Sequence, residues 1–175
     1  MKLLLLLLVA AFAHPALAGD NDHEKFMEAE RVKQKVCADA IEHSLSNATT
    51  IELFAIDPSF PASEKEAAKD PRPKLLDWRV VAQTTLADRT AIRALGSALA
   101  DGIRSSEVGY VVGCFNPRHA LRWKADGKEV TVIVCFQCGN GGVIGLEPSK
   151  GFLTTKSPQA TFERIFSVAG LPKVK

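Results

Sequence analysis

The dipeptide Asp126-Gly127 constrains this chain most. Alternating apolar residues flank it on both sides, and Asp-Gly supplies the positive φ that a two-residue hairpin turn needs. With that pair at the tip, Trp123 faces Val130, Leu121 faces Val132 and His119 faces Val134. On the other side of the ribbon Lys124 faces Glu129, a cross-strand ion pair, and Arg118 faces Cys135. Side chains alternate along a strand. Val130, Val132, Val134, Phe136 and Cys138 therefore share a face with Trp123, Leu121 and His119, and that face is apolar enough to be the core. The opposite face carries Arg122, Lys124, Thr131 and Gln137, together with Cys135, Ile133, Ile144 and Leu146. An apolar strip edged by Arg118 and Arg122 reads as a contact surface. Asn140-Gly141 reads as a second tip, which sets Cys138 opposite Val143 and Cys135 opposite Leu146.

The remaining segments supply layers for this ribbon. Phe26, Ala29, Val36, Cys37, Ala40, Ile41 and Leu45 recur at helical steps, which predicts an amphipathic helix over 23–45, capped by Asp20, Asn21 or Asp22. Residues 49–56 and 75–85 read as strands. The proline-rich, charged stretch 57–73 between them reads as a long exposed loop. Asp88 caps a helix with Ile92, Leu95, Leu99 and Ile103 on its apolar stripe. Three or four strands are expected between Tyr110 and Leu146. Ser157-Pro158 opens a final helix that buries Phe162, Ile165, Phe166 and Ala169 and stops at Gly170 and Pro172. Helices interspersed with hairpin-linked strands predict an α+β fold: an antiparallel sheet with about three helices packed mainly on one face.

Residues 1–18 read as a cleavable export signal. Lys2 precedes the apolar run Leu3–Phe12, Pro15 breaks it, and Ala16-Leu17-Ala18 offers the small residues of a cleavage site. The run is shorter than the roughly 20 residues that span a bilayer. Residues 19–175 then form one domain, periplasmic or extracellular, with no membrane attachment after cleavage. The formal net charge is +2, of which Lys2 contributes one. Nucleic-acid partners need a clustered basic excess, and none is present.

The cysteines carry most of the chemistry. Cys114, His119, Cys135 and Cys138 follow a C-x4-H-x15-C-x2-C spacing, a candidate zinc ligand set. Regular alternation turns Cys135 and Cys138 to opposite faces, which weighs against one shared ion. A disulfide competes with it. Pro117 lacks an N–H, so a bulge is expected there, and one extra residue puts Cys114 directly opposite Cys138. Opposed Cα atoms about 4.5–5.5 Å apart suit a disulfide. Cys135 is then a free thiol beside the Arg118 guanidinium, which favours the thiolate. A Cys–His nucleophile is the weakest reading, because His119 and Cys135 face apart and no third group stands out to orient them. Cys37 on the first helix reads as a small core residue. The glycines of 139–145 read as a turn, since no helix follows them to cradle a phosphate. Asn47-Ala48-Thr49 is a glycosylation sequon that matters only in a eukaryotic host.

Cys114-Phe115-Asn116-Pro117-Arg118-His119 and Cys135-Phe136-Gln137-Cys138 resemble the C-F-x-P-R-H and C-F-x-C motifs of a group of exported bacterial proteins of unknown function. Trp78-Arg79-Val80 and the Ser157-Pro158 helix start are also similar, so the likeness covers 50–172. The resemblance implies export and assigns no activity. On the residues alone, the expectation is a binding or structural domain rather than a catalytic one, without a cofactor, with Arg118, Cys135 and Arg122 as its surface. The alternative is a thiol-redox or zinc protein using Cys114, His119, Cys135 and Cys138.

Overall fold

The computed structural model describes residues 19–59, 69–108, 113–147 and 151–175. The expected signal, the middle of the long loop and Tyr110 lie outside the described residues. Among the described residues the order is α1 (Gly19–Asn47), β1 (Ile51–Ile56), β2 (Lys74–Leu75), β3 (Trp78–Leu86), α2 (Arg89–Arg104), β4 (His119–Ala125), β5 (Lys128–Cys135), β6 (Asn140–Ile144), β7 (Gly151–Leu153) and α3 (Gln159–Val168). The strands form one curled antiparallel sheet in the order β2-β3-β1-β4-β5-β6-β7. The α+β class read from the sequence is the class observed.

The helices pack on one face. Ile41 and Leu45 from α1, Leu95, Leu99 and Ile103 from α2, and Phe162 and Phe166 from α3 share a core with Leu53, Leu121, Trp123, Val132, Val134 and Phe152 of the sheet. Asp88 caps α2 as expected, its carboxylate accepting from Thr90 N at 2.8 Å and Ala91 N at 3.3 Å. The α1 stripe needs correction. Phe26 and Val36 are exposed, and the buried stripe of Cys37, Ala38, Ile41 and Leu45 begins at Cys37. The cause is length. Arg104, the last residue of α2, pairs with Asp39 at 2.7 Å, so the first half of α1 runs past the end of its helical partner. The last helix also differs at its start. It begins at Gln159, and Pro158 is its cap residue with no side-chain hydrogen bond. The Ser157 hydroxyl instead meets Thr155 Oγ1 at 2.7 Å.

The Asp126-Gly127 register is observed: His119–Val134, Leu121–Val132, Trp123–Val130 and Lys124–Glu129 are paired, with positive φ at both turn residues. Glu129 Oε2 lies 3.8 Å from Arg122 Nε. The Asn140-Gly141 turn is not observed. Asn140 already lies in β6, paired with Cys135, and Thr131 pairs with Ile144. The connection is the four-residue turn 136–139, closed by a positive φ at Gly139. Gly141 serves a different need, because a Cβ there would collide with the Phe152 ring and meet Ile133 O at 2.8 Å.

The outer face is not a solvated surface. Phe54, Ile56, Leu75, Trp78, Val80, Ala120 and Ile133 form a second apolar cluster, with Phe115 packed against it. The expected second strand is broken in two at Leu76, which adopts φ 55°, and the short β2 folds back on β3. The ends of the 57–73 loop are tied together beside this cluster. Arg72 reaches Asp57 at 2.9 Å and Asp70 at 2.6 Å, and Arg79 Nε lies 3.0 Å from Asp70. Hydrogen bonds from Arg72 hold the Asp70 carboxyl well below the usual carboxylate range. The strip expected from Cys135, Ile133, Ile144 and Leu146 is therefore split. Ile133 belongs to the outer cluster, Leu146 packs against the main core, and Ile144 is exposed.

Candidate functional site

Two segments meet at the end of the β4–β5 ribbon: residues 114–118, which lead into β4, and the turn 136–139 after β5. The leading segment carries no regular secondary structure. Phe115 stacks edge-on against Trp78, centroids 5.7 Å apart, Pro117 is buried, and Arg118 O accepts from Ile56 N at 3.0 Å. The turn is fixed from the other side. Phe136 packs on Phe162 at 5.0 Å, and Gly139 O accepts from Thr154 N at 2.9 Å. Two bonds join the segments directly. Asn140 Nδ2 donates to Cys114 O at 3.3 Å. The Arg118 guanidinium bridges Asn116 O, at 3.3 Å, and Gln137 Oε1, at 3.2 Å.

This arrangement gathers three sulfurs. Cys135 and Cys138 are in sulfur–sulfur contact, with Cα atoms 5.2 Å apart, inside the range a disulfide accepts. The turn makes this possible: once residue 136 leaves the strand, alternation no longer separates the two side chains. Cys138 N donates to Cys135 Sγ at 3.1 Å. Cys114 Sγ lies 3.0 Å from Cys138 Sγ. Cys114 is exposed, whereas Cys135 and Cys138 retain 1 % and 3 % of their accessible surface.

The expected site residues are thus only partly assembled as read. Cys114 and Cys138 do meet, but Cys138 also contacts Cys135, so Cys135 is neither isolated nor on a surface. Arg118 spends its guanidinium on Asn116 and Gln137. Arg122 is remote from the sulfurs, paired with Glu52 at 2.7 Å and lying 5.0 Å over the Phe54 ring. His119 points the other way, into the core. Its ring sits among Phe136, Phe162 and Phe166, 4.8 Å from the last. Burial pushes its pKa down to about 4, opposed by Glu163 and reinforced by Arg118 and Lys173. The four-ligand zinc set is therefore not assembled, and among the described residues no group of His, Cys, Asp and Glu is arranged to hold a metal ion. Cys37 is buried, and burial pushes its thiol up to about 11, which leaves it inert.

Sequence reasoning missed two partners in this site. Asn140 reads as a turn tip but lies in β6, and Gln137 is exposed, as its polar face predicts, yet accepts from Arg118. The signal available for both was the C-x2-C spacing itself, which fits a turn better than a strand. No family model matches the chain, and no curated protein or solved structure is detectably similar to it. Among the described residues no helix is long and apolar enough to cross a membrane.

Proposed function

We propose that this chain is an exported thiol–disulfide domain in which Cys135 and Cys138 alternate between dithiol and disulfide. The observation that carries the reading is the sulfur contact between them, made in a turn whose own backbone N–H is aimed at Cys135 Sγ. A permanent staple needs only two cysteines. Here a third sulfur stands against the pair, and a thiol in contact with a disulfide is the arrangement required for exchange. Export rests on the leader at residues 1–18 and on the motif likeness to exported bacterial proteins. It supplies a compartment in which disulfides form and persist.

Equilibration of the purified protein in glutathione buffers of graded ratio, followed by acid quench and differential alkylation, tests the reading. The expected result is interconversion of the pair at a defined poise, with the buried Cys37 unpaired throughout. A metal assay on the same sample discriminates zinc. One tightly held zinc per chain, with thiols that do not oxidise, overturns the proposal.

A second reading has its own observation. Phe26 is 58 % exposed and stands over an apolar groove lined by Phe115, Ile133, Phe152 and Leu153. In that reading the domain binds an apolar ligand and the cysteine pair only braces the hairpin. A pair that stays oxidised in excess dithiothreitol on the native protein favours this second reading.

A further inference from the structure

The oxidised pair presents a problem of access. Thiol–disulfide exchange requires an attacking thiolate to reach a sulfur of the disulfide, yet Cys135 and Cys138 are both almost completely buried. An external thiol therefore has no direct route to either. Cys114 is exposed and its Sγ touches Cys138 Sγ. The segment that carries it is tethered to the turn through Asn140 and Arg118, so the contact belongs to a braced wall. We infer that Cys114 is the relay through which the buried pair exchanges with thiols and disulfides outside the protein. This inference rests on the redox reading of Cys135 and Cys138.

The step balances without any further reagent. The Cys114 thiolate attacks Cys138 Sγ; the Cys114–Cys138 bond forms as the Cys135–Cys138 bond breaks. The electron pair of the broken bond leaves on Cys135 as thiolate. Cys138 N–H, 3.1 Å from Cys135 Sγ, is placed to donate to that thiolate, and a stabilised leaving thiolate speeds exchange. The disulfide now ends at an exposed sulfur. An external thiolate attacks Cys114 Sγ, forms a mixed disulfide and expels Cys138 as thiolate. A second external thiol releases Cys114. In total two external thiols become one external disulfide while the protein disulfide becomes a dithiol. Run backwards, the same steps load the protein from an external disulfide. The partner class is a thiol or disulfide able to reach Cys114, and attack on Cys138 makes Cys138 the sulfur common to both internal bonds. The Cys114–Cys138 bridge expected from the sequence is then the exchanged isomer of the Cys135–Cys138 bridge.

The test compares the full chain with Cys114→Ser and Cys114→Ala. Each oxidised protein is treated with reduced glutathione under native conditions, quenched in acid and mapped by mass spectrometry. Cys114 is exposed, so both variants are expected to melt with the parent. In the parent, glutathione should appear on Cys114, and a Cys114–Cys138 peptide pair should be recovered. In both variants reduction of Cys135–Cys138 should slow by at least roughly tenfold, as expected when the accessible sulfur is removed, while rates in denaturant stay equal. Cys135→Ser should lock Cys114 to Cys138. Equal native rates in parent and variants, with the pair still interconverting, would overturn the relay and leave the redox pair standing. A pair that never interconverts in any of the proteins would instead remove the underlying reading.

Discussion

His119 gives the sharpest handle on how the last helix is docked. Its ring is held among Phe136, Phe162 and Phe166, and burial lowers its pKa from 6.5 to about 4. The folded protein therefore resists protonation of this ring, whereas the unfolded chain accepts the proton near pH 6.5. A depressed folded-state pKa makes the stabilisation complete above the unfolded value and removes it progressively as the pH falls toward 4. Integrating the linkage gives a loss of about 2 kcal/mol by pH 5 and about 3 kcal/mol by pH 4. Carboxylates titrate in the lower part of the same range, so a single protein is not informative. Urea denaturation of the parent and of His119→Leu at half-unit steps from pH 7.5 to 4 isolates the histidine by difference. The parent should lose stability relative to the variant, with most of the divergence between about pH 6.5 and 4.5. Glu163, Arg118 and Lys173 are the charges that act on this ring, and Glu163→Gln should enlarge the divergence because it removes the one favourable to the imidazolium. A flat difference curve would refute the reasoning: His119 would then be as solvated in the native state as in the unfolded chain.

The remaining expectations concern packing and local geometry. Phe162 is fully buried between His119, Phe136 and Phe166, so Phe162→Ala should cost about 3–5 kcal/mol by chemical denaturation. Gly141→Ala should cost about 1–3 kcal/mol, because its methyl would enter the Phe152 ring. Gly142→Ala meets nothing closer than Ile133 Cγ2 at 3.9 Å and should melt with the parent; the contrast between the two neighbours is the measurement. Asp88→Ala removes two cap hydrogen bonds on α2 and should cost about 1 kcal/mol, recovered largely by Asp88→Ser. Intact mass of the exported product should begin at Gly19 if residues 1–18 are the cleaved leader.

What the sequence disclosed was local, and what it concealed depended on distant partners. Asp126-Gly127 identified its hairpin because the turn conformation is specified by the two residues themselves. Asn140-Gly141 has the same letters and misled, because Gly141 answers to a ring on β7 that no local pattern announces. The helix over Arg89–Arg104 was legible from one cap and one stripe. The burial of α1 was not, since it depends on where α2 ends. The outer apolar cluster was hidden for a similar reason. Trp78, Phe54 and Ile133 come from strands far apart in sequence, so the apolar strip around Ile133 reads as an exposed contact surface until β1 and β3 are placed beside it. At the site, the hairpin register already sets Cys114 near Cys138, and the structure holds their sulfurs 3.0 Å apart. The contact of Cys135 with Cys138 is not legible from alternation, because the chain turns at Phe136 where the pattern predicts a continuing strand.

Strand β1 sits between β3 and β4 and is covered on both faces: Leu53 and Ala55 belong to the main core, Phe54 and Ile56 to the outer cluster. Its ladder with β4 joins residues such as Leu53 and Leu121, which only a large chain closure can bring together, whereas β4, β5 and β6 join through short turns. Loop closure must precede the contacts that reward it. The order of assembly and the order of durability therefore run in opposite directions. The β4–β6 meander can pair early on its own turns, and β1 must wait for both halves of the chain. Once inserted, its amides should be among the slowest in the molecule to exchange with solvent, opening only when the whole domain unfolds.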